Sequence, residues 1–205
     1  MKAKLKNFKD LFLHPKKFFS RIDTKEDYLT PLLFYVFIFV TYHVVDLLLG
    51  IIYFAKFNAT TIDYVALVVF FLFNMALVWV IPFVQALIIH AGVVFFGVHG
   101  YYKTFQATAY GFSVMTVYLL ISTLLTIIPA MFSGFRINDD PSFVIGIGLL
   151  VLAGFVHSIY ATARGLQAFD NLSFTKALIA VLFVPLILLL VILASIIMTI
   201  PFIFM

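Results

Sequence analysis

Five stretches of this chain stay apolar for longer than a soluble fold can hide. They run from about Pro31 to Phe54, Tyr64 to Gly97, Thr104 to Phe132, Pro141 to Ala163 and Phe174 to Phe204. A helix of about 20 apolar residues crosses the hydrocarbon core of a bilayer. Inside lipid the backbone must satisfy its own N–H and C=O groups, which a helix does internally. Each run is therefore read as a transmembrane helix. Composition agrees: 64% of the 205 residues are hydrophobic and 11% are charged, where soluble domains carry about 25% charge. A chain of this length has too little interior to bury that much apolar side chain, and its 26 Phe and 10 Tyr suit hydrocarbon and its border with water.

The expected fold class is all-α, a polytopic transmembrane bundle of five spans over residues 29–205, preceded by a short amphipathic cytoplasmic segment, residues 1–28. No cleavable signal is expected, because mixed residues precede a first apolar run of full bilayer length. The second run is the awkward one. From Asp63 to Gly97 a straight helix would be roughly 52 Å long, more than a bilayer with its head groups. It either kinks at Pro82 and tilts, or splits into two short spans. Charge decides. Five spans with the N-terminus inside place eleven cations inside, the eight before residue 26 plus Lys103, Arg164 and Lys176, against Lys56 and Arg136 outside. Six spans give nine against four. Positive-inside asymmetry favours five, with a kinked second helix and the C-terminus outside.

The first 28 residues carry a second pattern. Leu5, Phe8, Leu11 and Phe12 recur at helical spacing among Lys4, Lys6 and Lys9, and after Pro15 the same happens with Phe18, Phe19 and Ile22 among Lys16, Lys17 and Arg21. This reads as two short amphipathic helices on the cytoplasmic membrane face, apolar side down, with Lys9, Lys16, Lys17 and Arg21 meeting anionic head groups. The alternative is a helix packed under the bundle's inner loops. Thr104 and Ser173, opening the third and fifth runs, have N-cap chemistry.

An ionisable group at membrane depth is costly and marks a candidate site. Asp46 is the only acid well inside a run, and His43 lies on the same helical face. Asn74, Gln85 and His90 in the second run and His157 in the fourth complete the intramembrane polar set. Such a set either lines an ion or ligand pathway or holds helices together by hydrogen bonds. Gly92, Gly97 and Gly100 permit close helix approach or end helices, and Gly146 and Gly148 favour close approach. There are no cysteines, so disulfides and thiolate chemistry are excluded. No HExxH, GxSxG or P-loop pattern is present. No enzyme activity, cofactor or metal is expected.

Three stretches resemble a known family: "FLHPKKFFSRI" before the first run, "HGYYKTFQATAYG" entering the third, and "YATARGLQAFDNLSFTKALIAVLF" linking the fourth to the fifth. They are similar to the Yip domain family of five-span membrane proteins, over about Leu11 to Phe204. The resemblance implies a role in membrane organisation; eukaryotic members act in early secretory traffic and are named for binding Ypt/Rab GTPases. Those have a long cytosolic N-terminal region, whereas this short form looks like a bacterial or archaeal member in a plasma membrane. The expected function is a non-enzymatic scaffold or trafficking-type protein engaging anionic lipid or a protein partner at the cytoplasmic face. The alternative is a small ion or lipid channel using the intramembrane polar residues. No nucleic-acid partner is expected.

Overall fold

A computed structural model describes residues 8–22, 27–57, 60–133, 141–182 and 186. Among them the regular structure is all helical: α1 (Phe8–Leu13), α2 (Pro15–Phe19), α3 (Leu29–Lys56), α4 (Thr61–Leu77), α5 (Ile81–Val94), α6 (Tyr101–Ser133) and α7 (Pro141–Asp170), followed by a helical stretch over 174–182, here α8. The helices α3, α6 and α7 are each long and apolar enough to cross a membrane, and α4 with α5 forms a bent pair that makes up to a fourth span. The protein is thus an integral membrane protein with three to four candidate spans among the described residues. Most of the fifth apolar run, from 183 onward, lies outside them apart from residue 186, as do Leu5 with its neighbouring lysines, and Arg136.

The bend has a cause in the sequence. A capping box opens α4: the Thr60 hydroxyl accepts from the Asp63 N–H, and the Asp63 carboxylate accepts from the Thr60 N–H at 2.7 Å. The helix then breaks at Val78–Val80, and α5 leaves at 55°. Pro82 lies in the first turn of α5. It has no N–H to give the Val78 carbonyl, and its ring crowds that carbonyl. The break therefore falls up to four residues before the proline, with turn bonds such as Val80 N–H to the Leu77 carbonyl bridging it.

At the centre of the bundle stands α6, packed against α3, α5 and α7. From Thr104 to Gly111 every residue of it is buried. Its antiparallel contact with α7 is set by small residues. A Cβ on Gly111 would sit 2.0 Å from Thr162 Oγ1, one on Gly154 2.5 Å from Tyr118 Cβ, and one on Gly165 2.8 Å from Ala107 Cβ. Lipid tails are as apolar as leucine, so helices in a membrane associate by close van der Waals contact, which small residues permit. Gly92 makes the same kind of contact with the Ala180 backbone on α8. Gly97 ends its helix with a φ of +80°. The close approach expected at Gly146 and Gly148 is absent: among the described residues nothing lies within 4 Å of a Cβ at either, because that half of α7 faces outward.

Three further expectations resolve here. Ser173 caps α8, its hydroxyl accepting from Lys176 N–H at 3.4 Å. Thr104 is not a cap, because α6 already begins at Tyr101. And α7 runs past Ala163 to Asp170, ending at Asn171 in the left-handed conformation, φ 53°, a position where asparagine tolerates what most residues do not.

Candidate functional site

Lys103 at the start of α6, Arg164 and Asp170 near the end of α7, and Lys176 on α8 lie at one end of the α6–α7 hairpin. The helices α1 and α2 pack across this basic end as a cap. Leu11, Phe18 and Phe19 are buried in one core with Tyr110, Leu166 and Phe169. The Phe19 ring meets Phe169 edge-on at 5.4 Å, and Phe18 meets Tyr110 at 5.3 Å. Gly165 makes the room, since a Cβ there would lie 3.0 Å from the Phe19 ring. The cap's apolar side therefore faces the bundle, and the second of the two sequence readings holds for it. At an interface wet on one side, burying large rings this way is favoured by the hydrophobic effect.

The charged side of the cap faces out. Lys9, Lys16, Lys17 and Arg21 are all exposed. Asp10 organises part of it, accepting from Arg21 Nη1 at 2.9 Å and lying 3.8 Å from the Lys17 ammonium. Beneath the cap, the Lys103 ammonium lies 3.9 Å from Asp170, whose side chain is only 2% exposed. The Arg164 guanidinium sits over the rings of Phe174, at 4.1 Å, and Tyr160, at 5.1 Å, and donates to Gln167 Oε1 at 2.8 Å.

The intramembrane candidates are dispersed. His157 is a tie between cap and bundle. Its Nε2 lies 3.0 Å from the Phe12 carbonyl, which can only accept, so the ring donates there. Its Nδ1 lies 3.2 Å from the Tyr118 hydroxyl. His90 Nδ1 pairs with Thr104 Oγ1 at 3.0 Å and links α5 to α6. His43 is buried among the rings of Phe39, Tyr42 and Phe70. Asp46 accepts from the Thr123 hydroxyl at 3.4 Å. The crevice beside His43 and Asp46, walled by Leu47, Leu67, Phe70 and Phe71, is too small for a water molecule. Asn74 donates to Phe70 O of its own helix at 2.8 Å, and Gln85 Oε1 is buried with no hydrogen-bond partner among the described residues. Only His43 and Asp46 are brought together, and among the described residues no group of three or more His, Asp or Glu side chains is arranged to hold a metal.

Segments 12–22, 99–111 and 160–182, far apart in the chain, meet where the cap crosses the hairpin, through Phe19, Ala107, Tyr110 and Gly165. A family profile described as the Yip1 domain matches residues 9–196. The chain belongs to the Yip1 domain family. No match was found among curated proteins or among solved structures. The matched span of this Yip1-domain chain begins inside the cap and takes in the bundle. Sequence reasoning missed Gly111, Gly154, Thr162 and Gly165. Their signal was present as small residues four apart, Ala107 with Gly111, Gly154 with Ser158, Ser158 with Thr162 and Ala161 with Gly165.

Proposed function

We propose that this protein is a non-enzymatic membrane-organising component of the trafficking or scaffold type. In this reading five spans place the basic end in the cytoplasm of a prokaryotic cell, and the C-terminus outside. The cap presents a fixed cationic surface to anionic head groups or to an acidic protein partner. The observation that carries the reading is the division of labour within α1 and α2. Leu11, Phe18 and Phe19 are locked into the bundle while Lys9, Lys16, Lys17 and Arg21 remain exposed. A cap that spent its apolar side on lipid would be a mobile anchor; one that spends it on the bundle holds its charges at a constant position. Charge asymmetry supports the orientation, since Lys103, Arg164 and Lys176 share the cap's end, whereas Lys56 reaches the Met131 carbonyl near the far end of α6.

The test uses the full chain in nanodiscs of neutral lipid, offered to separate vesicles of neutral or anionic lipid. Basic residues near an anionic surface contribute about 1 kcal/mol each. Reversing Lys9, Lys16 and Lys17 to Glu is expected to weaken capture by anionic vesicles by about 100-fold or more, and added salt is expected to weaken the wild type progressively. Capture that ignores both the reversal and the salt overturns the reading.

A further inference from the structure

A groove of about 780 Å³ runs along one face of α3 and opens at the side of the bundle. Leu33, Phe37, Val40 and Val44 of α3 form one wall, and Phe18 of the cap and Tyr110 of α6 lie against it. Its lining is mostly apolar: Arg21 and Thr30 stand at one end, and Thr41 further along spends its hydroxyl on the Phe37 carbonyl at 2.7 Å. From Thr30 to Val45 the groove follows α3 for about 22 Å. One leaflet of hydrocarbon is about 15 Å deep, so the groove reaches from head-group level to beyond the depth of one leaflet.

We infer that this groove seats one acyl chain of an anionic phospholipid, with the lipid's phosphate against Arg21. Three features of the site select that occupant. Its apolar channel has the depth an acyl chain needs and opens sideways to the bilayer, from which a lipid enters without crossing water. Among the described lining residues its one charge is a guanidinium, which offers five N–H donors and matches phosphate geometry in a paired fashion. Asp10 engages Arg21 through Nη1 at 2.9 Å, and the remaining donors of the fork are open to a second anion. The described acids nearby, Asp10 and Asp27, are already employed. Asp10 holds Arg21 and Lys17, while Asp27 caps α3 by accepting from the Thr30 N–H at 3.0 Å and from the Thr30 hydroxyl. With Lys16 and Lys17 exposed beside it, the described residues at the mouth carry more cations than acids, the arrangement by which basic pockets among membrane helices hold lipid phosphates.

The groove shares Arg21 with the outward surface of the cap, but its blocking variants lie on α3 and leave Lys9, Lys16 and Lys17 untouched, while the vesicle-capture test leaves Arg21 and α3 untouched, so failure of one reading is distinguishable from failure of the other. The full chain is purified in detergent, stripped of lipid, and titrated with phosphatidylglycerol or phosphatidylcholine under native mass spectrometry. The expected result is a single phosphatidylglycerol adduct that fills at lower concentration than the phosphatidylcholine adduct. Val44→Trp, which fills the deep end of the groove and shortens the channel the chain needs, is expected to abolish the adduct. Arg21→Gln is expected to cut the preference for phosphatidylglycerol by about fivefold while keeping chain binding. Thr41→Trp, an exposed position on the same wall, serves as the second blocking variant if Val44→Trp does not fold. The inference is overturned by an adduct that survives both blocking variants, by equal affinity for the two lipids, by no adduct at all, or by a protein dimer that the blocking variants dissolve, which would assign the groove to a second copy.

Discussion

The two ends of the α6–α7 hairpin are built from the same kind of helix and held by different physics. At the basic end α7 is jacketed: Ser158, Ala161, Thr162, Ala163, Gly165, Leu166 and Phe169 are all buried, and the cap covers what the neighbouring helices leave. At the other end Ile145 is 63% exposed, Leu149 61% and Phe132 85%. In water such a surface would collapse onto something. In hydrocarbon an exposed leucine costs nothing, because lipid replaces the neighbour it lacks. In the proposed orientation the cap end borders water, where burying Leu11, Phe18 and Phe19 is favourable by roughly 1.5–3 kcal/mol for each large side chain. The difference teaches where to look for specificity in this molecule. Within the membrane, exposure is uninformative and close backbone contact is the signal. At the border, buried aromatic rings are the signal.

The comparison breaks most visibly at glycine. Gly111→Val would put a side chain 2.0 Å from Thr162 Oγ1 and 2.9 Å from the Thr162 Cα, so backbones must separate. The expected loss exceeds about 3 kcal/mol, at the upper end of overpacking costs, and shows as a collapse of the unfolding midpoint in detergent. Gly148→Ala, on the bare half of the same hairpin partner, has open space beside it. It is expected to be neutral or to gain up to about 1 kcal/mol from helix propensity. Equal losses at the two glycines would mean that the hairpin is packed alike along its length.

The cap gives the next largest effect. Phe19 is 1% exposed and lies between Tyr110 and Phe169. Phe19→Ala is expected to cost about 3 kcal/mol, concentrated in the cap. Protease cleavage near Leu13 or labelling of a Leu11→Cys reporter should rise sharply while the bundle's own unfolding midpoint moves little. A uniform drop in the whole protein's stability, with no selective opening, would show that cap and bundle are one cooperative unit.

These positions explain how much the sequence could reveal. The three to four candidate spans among the described residues were legible because hydrophobic length has one physical meaning in a bilayer, and the bend was legible because Pro82 lacks a donor. The cap's orientation was not legible. Leu11, Phe18 and Phe19 at helical spacing say that one face is apolar, but lipid and bundle satisfy that face equally well in a one-dimensional reading. Gly146 and Gly148 were misjudged for a related reason. Two glycines in a span permit contact, but only a neighbour of matching shape makes one, as Thr162 does for Gly111. The polar set was visible as residue types, whereas its dispersal depends on helix rotation, which puts His157 under the cap and Asp46 beside α6.

The smallest expected effect comes from that dispersed set. Asp46 accepts from the Thr123 hydroxyl at 3.4 Å, at the long limit for such a bond, and its companion crevice with His43 admits no water. Side-chain hydrogen bonds between membrane helices average about 0.6 kcal/mol. Thr123→Val keeps the shape and removes the donor, so its cost is expected near that value in a detergent unfolding titration. Proton and sodium flux into proteoliposomes is expected to stay at the background of empty vesicles for both this variant and the wild type. A loss several times larger would place the carboxylate in a tighter network than its single long bond indicates. Wild-type flux above background that Asp46→Asn removes would move the centre of function from the cap to the middle of the membrane, and with it the contrast between the two ends.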